Sequence, residues 1–296
     1  MPARQLVDYF NDRIRAEKVR YLPEDPIRIR NGVVEGRFGA TRLQSVFRPR
    51  VTMSSGTPRV AGHAASLRAY GNANAVIPAH ALFANARDAN AVVYLDRLCR
   101  LIHTLNYLRQ VGETGSLFLH VDTRHVASVP TKHGRYFEQV LERCGLKPDR
   151  VVIVYSPNGH EDEDSLARAR HALQGYRHRD YSVLLDLGGD FSVHQALKYA
   201  WMLLPNYVQI DVARMTGGSP RYPSSILHEL GIGIVVSKVR TRIDAQRALA
   251  RGADLLAGDY FGPGSGEVRF SVDTGQTAEC EGPEAFDAPR LLMGYI

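Results

Sequence analysis

Residues 60–68 read Val-Ala-Gly-His-Ala-Ala-Ser-Leu-Arg, and an Ile-Pro pair follows at 77–78. The proline fixes a turn, after which a helix is expected to begin near Ala79. Three later segments are near-continuous runs of Val, Ile and Leu, at residues 151–155, 183–187 and 232–236. Strands that are buried on both faces have this composition, because neither face meets water. We therefore interpret the chain as a series of buried strands.

Helical periodicity separates these strands. Apolar residues recur at helical spacing within residues 166–173, 193–204 and 243–249. Strands that alternate with helices pair in parallel, and at this number of repeats a closed barrel is the expected arrangement. Such barrels reach about 250 residues as one domain, so a chain of 296 residues fits one barrel with additions at both ends.

The two ends have patterns of their own. Apolar residues at helical spacing predict an amphipathic helix within residues 1–20, and a strand pair is expected within residues 28–47. Near the other end, a glycine-rich break at 262–266 precedes an alternating segment at 268–273. That alternation predicts an edge strand.

Composition narrows the class of protein. The net charge is +6, from 37 Lys and Arg against 31 Asp and Glu, but the cations are dispersed without the aromatic interleaving of a nucleic-acid stripe. The three cysteines are too few and too scattered for a disulfide framework or zinc motif. No apolar run is long enough to cross a membrane, and the first residues do not resemble a secretory signal. We expect a cytoplasmic protein with no nucleic-acid or membrane partner.

The order of these stretches resembles the motifs of the EAL domain, the bacterial cyclic-di-GMP phosphodiesterase family. Residues 60–68 are similar to its G-x-E-A-L-L-R strand, residues 46–51 to its Q-P-I-V strand and residues 204–211 to its L-P-x-x-x-K-I-D segment. The resemblance covers roughly residues 40–265. It implies the α/β class, as an EAL-type TIM-like (β/α)8 barrel with an N-terminal extension of helix and strand and a short C-terminal arm.

The expected divisions are an N-terminal extension over residues 1–40, a degenerate barrel over 41–265 and an arm over 266–296. The barrel is called degenerate because residues of other types occupy most positions where the resemblance implies functional groups. The metal ligands of the family fall, in chain order, on Ala64, His120, Val154, Asp186, Leu187 and Ser237. The lysine that assists the attacking water falls on Gln209 and a late glutamine on Ala257.

Asp186 alone among these implied ligand positions keeps the family's residue. One carboxylate cannot hold two hard divalent cations, each of which needs about six oxygen ligands. We therefore expect no catalytic residue, no bound metal and no cofactor, and so a protein that is not an enzyme. Two readings of His120 stay open: it forms a partial zinc or iron set with Asp186, or it packs within the mouth of the barrel.

Binding without hydrolysis is the remaining chemistry. The arginine that contacts a phosphate of cyclic-di-GMP in the family is implied at Arg68, with Arg48 and Asp186 near the same mouth. The first hypothesis is an inactive regulatory or adaptor protein that acts through a protein partner or self-association in signalling of motility, biofilm or virulence. The alternative is a cyclic-di-GMP receptor that does not hydrolyse its ligand. An active phosphodiesterase or a repurposed enzyme is the least favoured reading.

Overall fold

The computed structural model describes residues 3–16, 23, 25–54, 56–86, 88–111, 114–128, 135–188, 191–216 and 224–272. The strands are β1 (Ile27–Arg30), β2 (Val33–Phe38), β3 (Thr41–Ser54), β4 (Thr57–Tyr70), β5 (Val76–Ile77), β6 (Ser116–His120), β7 (Val151–Tyr155), β8 (Ser182–Asp186), β9 (Tyr207–Asp211), β10 (Gly233–Ser237) and β11 (Leu255–Leu256). The helices are α1 (Ala3–Ala16), α2 (Ala79–Asn85), α3 (Ala89–Leu108), α4 (Thr123–Ser128), α5 (Arg135–Cys144), α6 (Glu163–Arg177), α7 (Val193–Leu203), α8 (Val212–Thr216), α9 (Ser224–Glu229) and α10 (Arg242–Leu249).

Eight of the strands close into a barrel, which confirms the predicted fold. The sheet order is β1-β2-β3-β11-β10-β9-β8-β7-β6-β4-β5, and pairing between β3 and β4 completes the ring. The seven strands β4 and β6 to β11 run parallel, as the alternation predicted. The expectation of parallel pairing is wrong for β3, which is antiparallel to both β4 and β11. A short hairpin joins β3 to β4, and such a connection requires antiparallel strands.

The barrel interior is filled by apolar side chains from most of its strands. Its buried residues are Phe118, Val152, Val154, Leu184, Val235 and Leu255, with Ala61, Ala64 and Tyr207 packed against them. A larger apolar layer separates the outer face of the strands from the helices. The strands are thus apolar on both faces, which explains the runs of Val, Ile and Leu in the sequence.

A β-bulge next to the mouth interrupts the β3–β4 ladder. Arg50 pairs with Gly62 and Val51 with Val60, so that Ala61 is the extra residue. A bulge changes which face the following side chains occupy. This explains why Ala61 and Ala64, three positions apart, both contact the interior cluster.

The long helix α3 joins the barrel to the N-terminal strands through buried polar contacts. It begins after Asp88, whose side chain accepts a hydrogen bond from the Ala91 amide at 2.8 Å. Inside the helix, Arg100 and Asp96 form an ion pair at 2.6 Å with both side chains almost fully buried. His103 contacts the Ser45 hydroxyl at 2.8 Å. The His103–Ser45 contact, together with hydrogen bonds of 2.7 and 2.8 Å between the Asn106 side chain and the Val34 backbone, holds α3 against β3 and β2.

The predicted N-terminal helix and strand pair are present. One face of α1 is buried, and the side chain of Asn11 makes two hydrogen bonds to the backbone of Ile27, at 2.8 and 3.0 Å. The predicted helix from Ala79 is also present as α2. None of the helices in the described ranges is long and apolar enough to cross a bilayer. The division into residues 1–40, 41–265 and 266–296 stays a prediction.

The predicted strand over residues 268–273 is wrong for its described part, residues 268–272, which form no strand. Ser265 makes a single bridge to Phe47 in the gap that β3 leaves between its pairings with β2 and β11. The chain leaves the sheet after this one bridge. It then contacts β4, where a ring nitrogen of His63 lies 2.8 Å from the carbonyl oxygen of Arg269. Residues 273–296 of the predicted arm lie outside the described residues.

Candidate functional site

The carboxyl ends of the parallel strands bring the predicted positions to one mouth of the barrel. Ala64 is paired with Arg48 on one side and with Phe118 on the other. In the ladder that continues around the ring, the register pairs are His120 with Val154, Asp186 with Gln209 and Asp211 with Ser237. Ala257 follows β11 and is buried at the same end. Leu187, directly after β8, packs in the outer apolar layer.

Arg50 is the most unusual residue of the mouth. It is only 7% exposed, and its guanidinium carbon lies 5.5 Å from the centre of the Phe118 ring inside the barrel. Within the described residues no hydrogen bond or ion pair reaches the guanidinium, and its Nε is fully buried without a partner. Burial lowers the pKa of Arg50 to about 10, against the opposing effect of Asp186 and with a further lowering by Arg48. The group is therefore charged at neutral pH.

Two carboxylates lie at the same end of the barrel. Asp186 accepts a hydrogen bond from the Gly188 amide at 3.1 Å. Asp211 accepts one from the Ser237 hydroxyl at 2.8 Å and forms an ion pair with Lys238 at 2.6 Å. A side-chain carbon built on Gly188 would lie 3.1 Å from an oxygen of each carboxylate, so both flank that residue. The Asp211 charge is already balanced by a lysine.

His120 lies at the end of β6 and is exposed within the mouth. No described residue makes a hydrogen bond to its ring. Desolvation of the ring by the surrounding protein lowers the pKa of His120, the Asp186 charge opposes this effect, and the Arg50 charge adds to it. The structure thus brings His120, Asp186 and Arg50 into electrostatic contact, but it does not show a coordinating pair of His120 and Asp186.

The two exposed arginines, Arg48 and Arg68, lie at different heights along the barrel strands. Arg48 is close to the mouth, because it pairs with Ala64 and is near enough to lower the pKa of Arg50. It also donates a long hydrogen bond, 3.4 Å, to the Ser66 hydroxyl. Arg68 pairs with Gln44, four positions beyond Ala64, which places it about 13 Å further along the strand. The structure groups Arg48 with Arg50 and leaves Arg68 above them.

The described residues do not fit a pair of divalent cations. No group of three or more His, Cys, Asp and Glu side chains among them is arranged to hold a metal ion. Ala64 and Val154 offer no ligand atoms, and the Asp211 carboxylate is bound by an ammonium group. The positive charge of Arg50 would repel cations placed beside Asp186.

Comparison with known proteins identifies the family. The family model described as the EAL domain matches residues 34–264. The chain belongs to the EAL domain family. No curated protein matches the sequence of this EAL-domain protein. Its barrel is similar in fold to several solved EAL structures. Because the sequence identities are low, this similarity shows the fold and not the function.

Three of these structures contain cyclic-di-GMP. The Bacillus subtilis YkuI protein, solved with cyclic-di-GMP and calcium, is 18% identical with a TM-score of 0.63, and the match covers 78% of this chain and 57% of YkuI. The EAL domain of FimX from Pseudomonas aeruginosa, bound to cyclic-di-GMP, is 16% identical with a TM-score of 0.63, and the match covers 78% of this chain and 93% of that domain. Klebsiella pneumoniae BlrP1, in a calcium and cyclic-di-GMP complex, is 18% identical with a TM-score of 0.61, and coverage is 83% and 57%.

Sequence reasoning placed the mouth of this EAL-domain protein but missed three of its charged groups. Asp211 was matched to a motif without being given a role, and Arg50 and Lys238 were not singled out. A signal for Arg50 was available, because Arg48 and Arg50 are two positions apart on a strand and therefore share a face. Since Arg48 is expected near the mouth, Arg50 is expected on the same side of the strand.

The acidic run at residues 161–164 has structural roles. Asp162 is the N-cap of α6 and accepts a hydrogen bond from the Ser165 amide at 2.8 Å, as expected for acidic residues at a helix start. Glu161 accepts a hydrogen bond from the Tyr199 hydroxyl at 2.6 Å and binds the loop amides of Asn158 and Gly159. Both carboxylates are engaged by the fold and lie outside the mouth.

Proposed function

We propose that this EAL-domain protein does not hydrolyse cyclic-di-GMP and acts as a regulatory or adaptor protein in bacterial cyclic-di-GMP signalling, in the cytoplasm. Control of motility, biofilm formation or virulence is the process we favour. The observation that supports the proposal is the buried guanidinium of Arg50 in the mouth where the family places its metal centre. A fixed cation there opposes the binding of two further cations.

Hydrolysis of cyclic-di-GMP by the family's reaction needs metal ligands that the described residues of this mouth do not supply. Metal-assisted hydrolysis of a phosphodiester uses bound cations to generate hydroxide and to stabilise the leaving oxygen. The oxygen ligands for those cations must come from several side chains at once. Of the carboxylates among the described mouth residues, Asp186 has no ion pair and Asp211 is paired with Lys238. A single uncompensated carboxylate beside Arg50 supports neither role.

The test is hydrolysis of cyclic-di-GMP by highly purified protein with magnesium and with manganese, followed by separation of the nucleotides. We expect no product above the level of the Asp186→Ala variant purified in parallel. Product that forms with the unsubstituted protein and disappears with Asp186→Ala would refute the proposal. The parallel variant matters because a contaminating phosphodiesterase would give the same activity in both samples.

An adaptor needs a surface for another protein, and α7 offers one. Trp201, the single tryptophan of the chain, is 66% exposed on this helix, and Leu204 directly after the helix is 41% exposed. Tryptophan is enriched among the residues that dominate protein interfaces. We expect Trp201→Ala to reduce capture of a partner, or self-association, at least tenfold. Gln246→Ala, at an exposed polar position on α10, is the control, because it removes a side chain outside this surface.

A second candidate is a cyclic-di-GMP receptor without hydrolysis. It is favoured by the exposure of Arg48 at the mouth and of Arg68 about 13 Å further along β4, since guanidinium groups bind phosphate oxygens. The solved YkuI and FimX structures contain this nucleotide. On this hypothesis Arg68→Ala weakens nucleotide binding by more than about tenfold. Arg59→Ala, an exposed arginine near the opposite end of β4, should bind as tightly as the unsubstituted protein.

A further inference from the structure

Arg50 carries a buried charge that the described residues do not pair. A charged group out of contact with water needs an opposite charge or several hydrogen bonds, and leaving it unpaired is strongly unfavourable. An acid or a lysine in this position would become neutral. Arginine keeps its proton at physiological pH, even with a pKa lowered to about 10. The folded chain therefore presents a permanent positive charge at the mouth with its hydrogen-bond donors unused.

The surroundings favour an anion from outside the fold. Arg48 adds a second guanidinium on the same face of β3, and His120 adds a ring at the end of β6. Asp186 is the nearest negative group, but it lies beyond ion-pair distance of Arg50, and its oxygen is engaged by the Gly188 amide. The mouth thus combines two guanidinium groups, one of which is buried with an unpaired Nε donor.

We propose that the mouth of this barrel binds a phosphate group, with the buried guanidinium of Arg50 and the exposed guanidinium of Arg48 as its anchors. The anion occupies the region where the family places its divalent cations, so the sign of the bound charge is reversed. This rests on the proposed function in one respect, namely that no metals occupy the mouth. Phosphate suits two guanidinium groups because its oxygens are distributed over a tetrahedron and can face donors from separate directions.

The backbone next to Arg50 is shaped for this role. The bulge at Ala61 lies beside the Arg50–Gly62 pair, and bulges are frequent next to sites because they redirect side chains. Ala64 opposite Arg48 is small and leaves the guanidinium uncovered. On the other side, the backbone of Gly264 passes so close that a side-chain carbon there would lie 3.1 Å from the Arg48 guanidinium carbon. The Gly264 backbone therefore borders the Arg48 guanidinium on that side.

The source of the phosphate group is distinguished by three probes. Inorganic phosphate, GMP and cyclic-di-GMP are titrated calorimetrically into metal-free protein at constant ionic strength, and thermal unfolding is followed in parallel. Binding of phosphate or GMP identifies a monoester or free phosphate as the ligand. Binding of cyclic-di-GMP alone identifies the diester. Either result supports the site only if Arg50→Gln weakens that binding by about tenfold or more, the loss of a charge-assisted contact.

Two further variants keep the test decisive. Arg48→Gln, at an exposed position, should also weaken binding, and it tests the site if Arg50→Gln does not fold. Arg59→Gln removes the same charge from the same hairpin away from the mouth and should bind like the unsubstituted protein. Failure of all three probes to bind would overturn the site. So would binding by the Arg50 and Arg48 variants that is as tight as binding by the unsubstituted protein. That failure leaves the proposed lack of hydrolysis untouched, since hydrolysis is measured separately with added metal.

Discussion

Replacement of Arg50 by methionine should stabilise the protein in a buffer free of phosphate and other multivalent anions. Burial lowers the pKa of this guanidinium from its ordinary value to about 10, which corresponds to roughly 3 kcal/mol of unfavourable free energy for the charged form. Because a base with a lowered pKa is charged in both states at neutral pH, the whole cost is present there. It is relieved only as the pH rises through about 10.

The gain is partly offset by contacts that methionine does not replace. A cation over an aromatic ring contributes about 0.5 to 2 kcal/mol, and Arg50 has this contact with Phe118. The expected net change is an increase of roughly 1 to 2 kcal/mol in the free energy of unfolding. For a domain of this size that corresponds to a rise of roughly 2 to 8 °C in Tm.

The assay is chemical denaturation at pH 7 with thermal unfolding in parallel. Arg59→Met, an exposed arginine of the same hairpin, serves as the control and should change stability by less than about 0.5 kcal/mol. Destabilisation of the Arg50→Met protein by about 1 kcal/mol or more would refute the reasoning. It would mean that the guanidinium is satisfied within the fold and contributes to stability.

Three further outcomes are expected from contacts elsewhere in the barrel. Gly62→Ala should destabilise the protein by about 1–3 kcal/mol or more in denaturant unfolding, because its new carbon would lie 2.3 Å from the Ser116 carbonyl oxygen, whereas Gly266→Ala should be nearly neutral. Arg100→Met should cost about 3–5 kcal/mol by removing the cation that balances the buried Asp96 carboxylate, and adding Asp96→Asn should recover part of this loss; an additive double variant would contradict the ion pair. Burial lowers the pKa of His103 to about 3, so the folded state resists protonation and stability falls as the pH drops from about 6.5 toward 3; His103→Gln should flatten that decline, and an unchanged pH profile would show that the ring is accessible.

Most of the barrel was predictable because its strands are defined by burial on both faces. The runs at 151–155 and 183–187 overlap β7 and β8 almost completely, since continuous apolar side chains are required wherever a strand has helices outside and a packed interior. The direction of β3 was not predictable from alternation alone. Direction depends on the length of the connection, and the hairpin before β4 is too short for a crossover.

The charged part of the mouth was harder to predict than its apolar part. Ala64 and Val154 could be placed because the motifs fix their positions on strands. The environment of Arg50 depends on a bulge between residues that are adjacent only across the ladder, and a local sequence pattern does not reveal such a bulge. The predicted strand at 268–273 failed for a similar reason, since alternation shows that a segment can pair but not whether an edge is free to accept it.

The pairing of β11 with β3 also affects how the protein folds. One register pair, Leu256 with Val51, joins the last barrel strand to the first, and the two residues are separated by nearly the whole barrel sequence. Contacts this distant in sequence form late, because the chain loses much entropy when the intervening loop closes. Until β11 arrives, β3 exposes an unpaired edge that can join another chain. During synthesis, the interval before residue 256 emerges is therefore the period in which the nascent protein is most prone to aggregate and most dependent on chaperones.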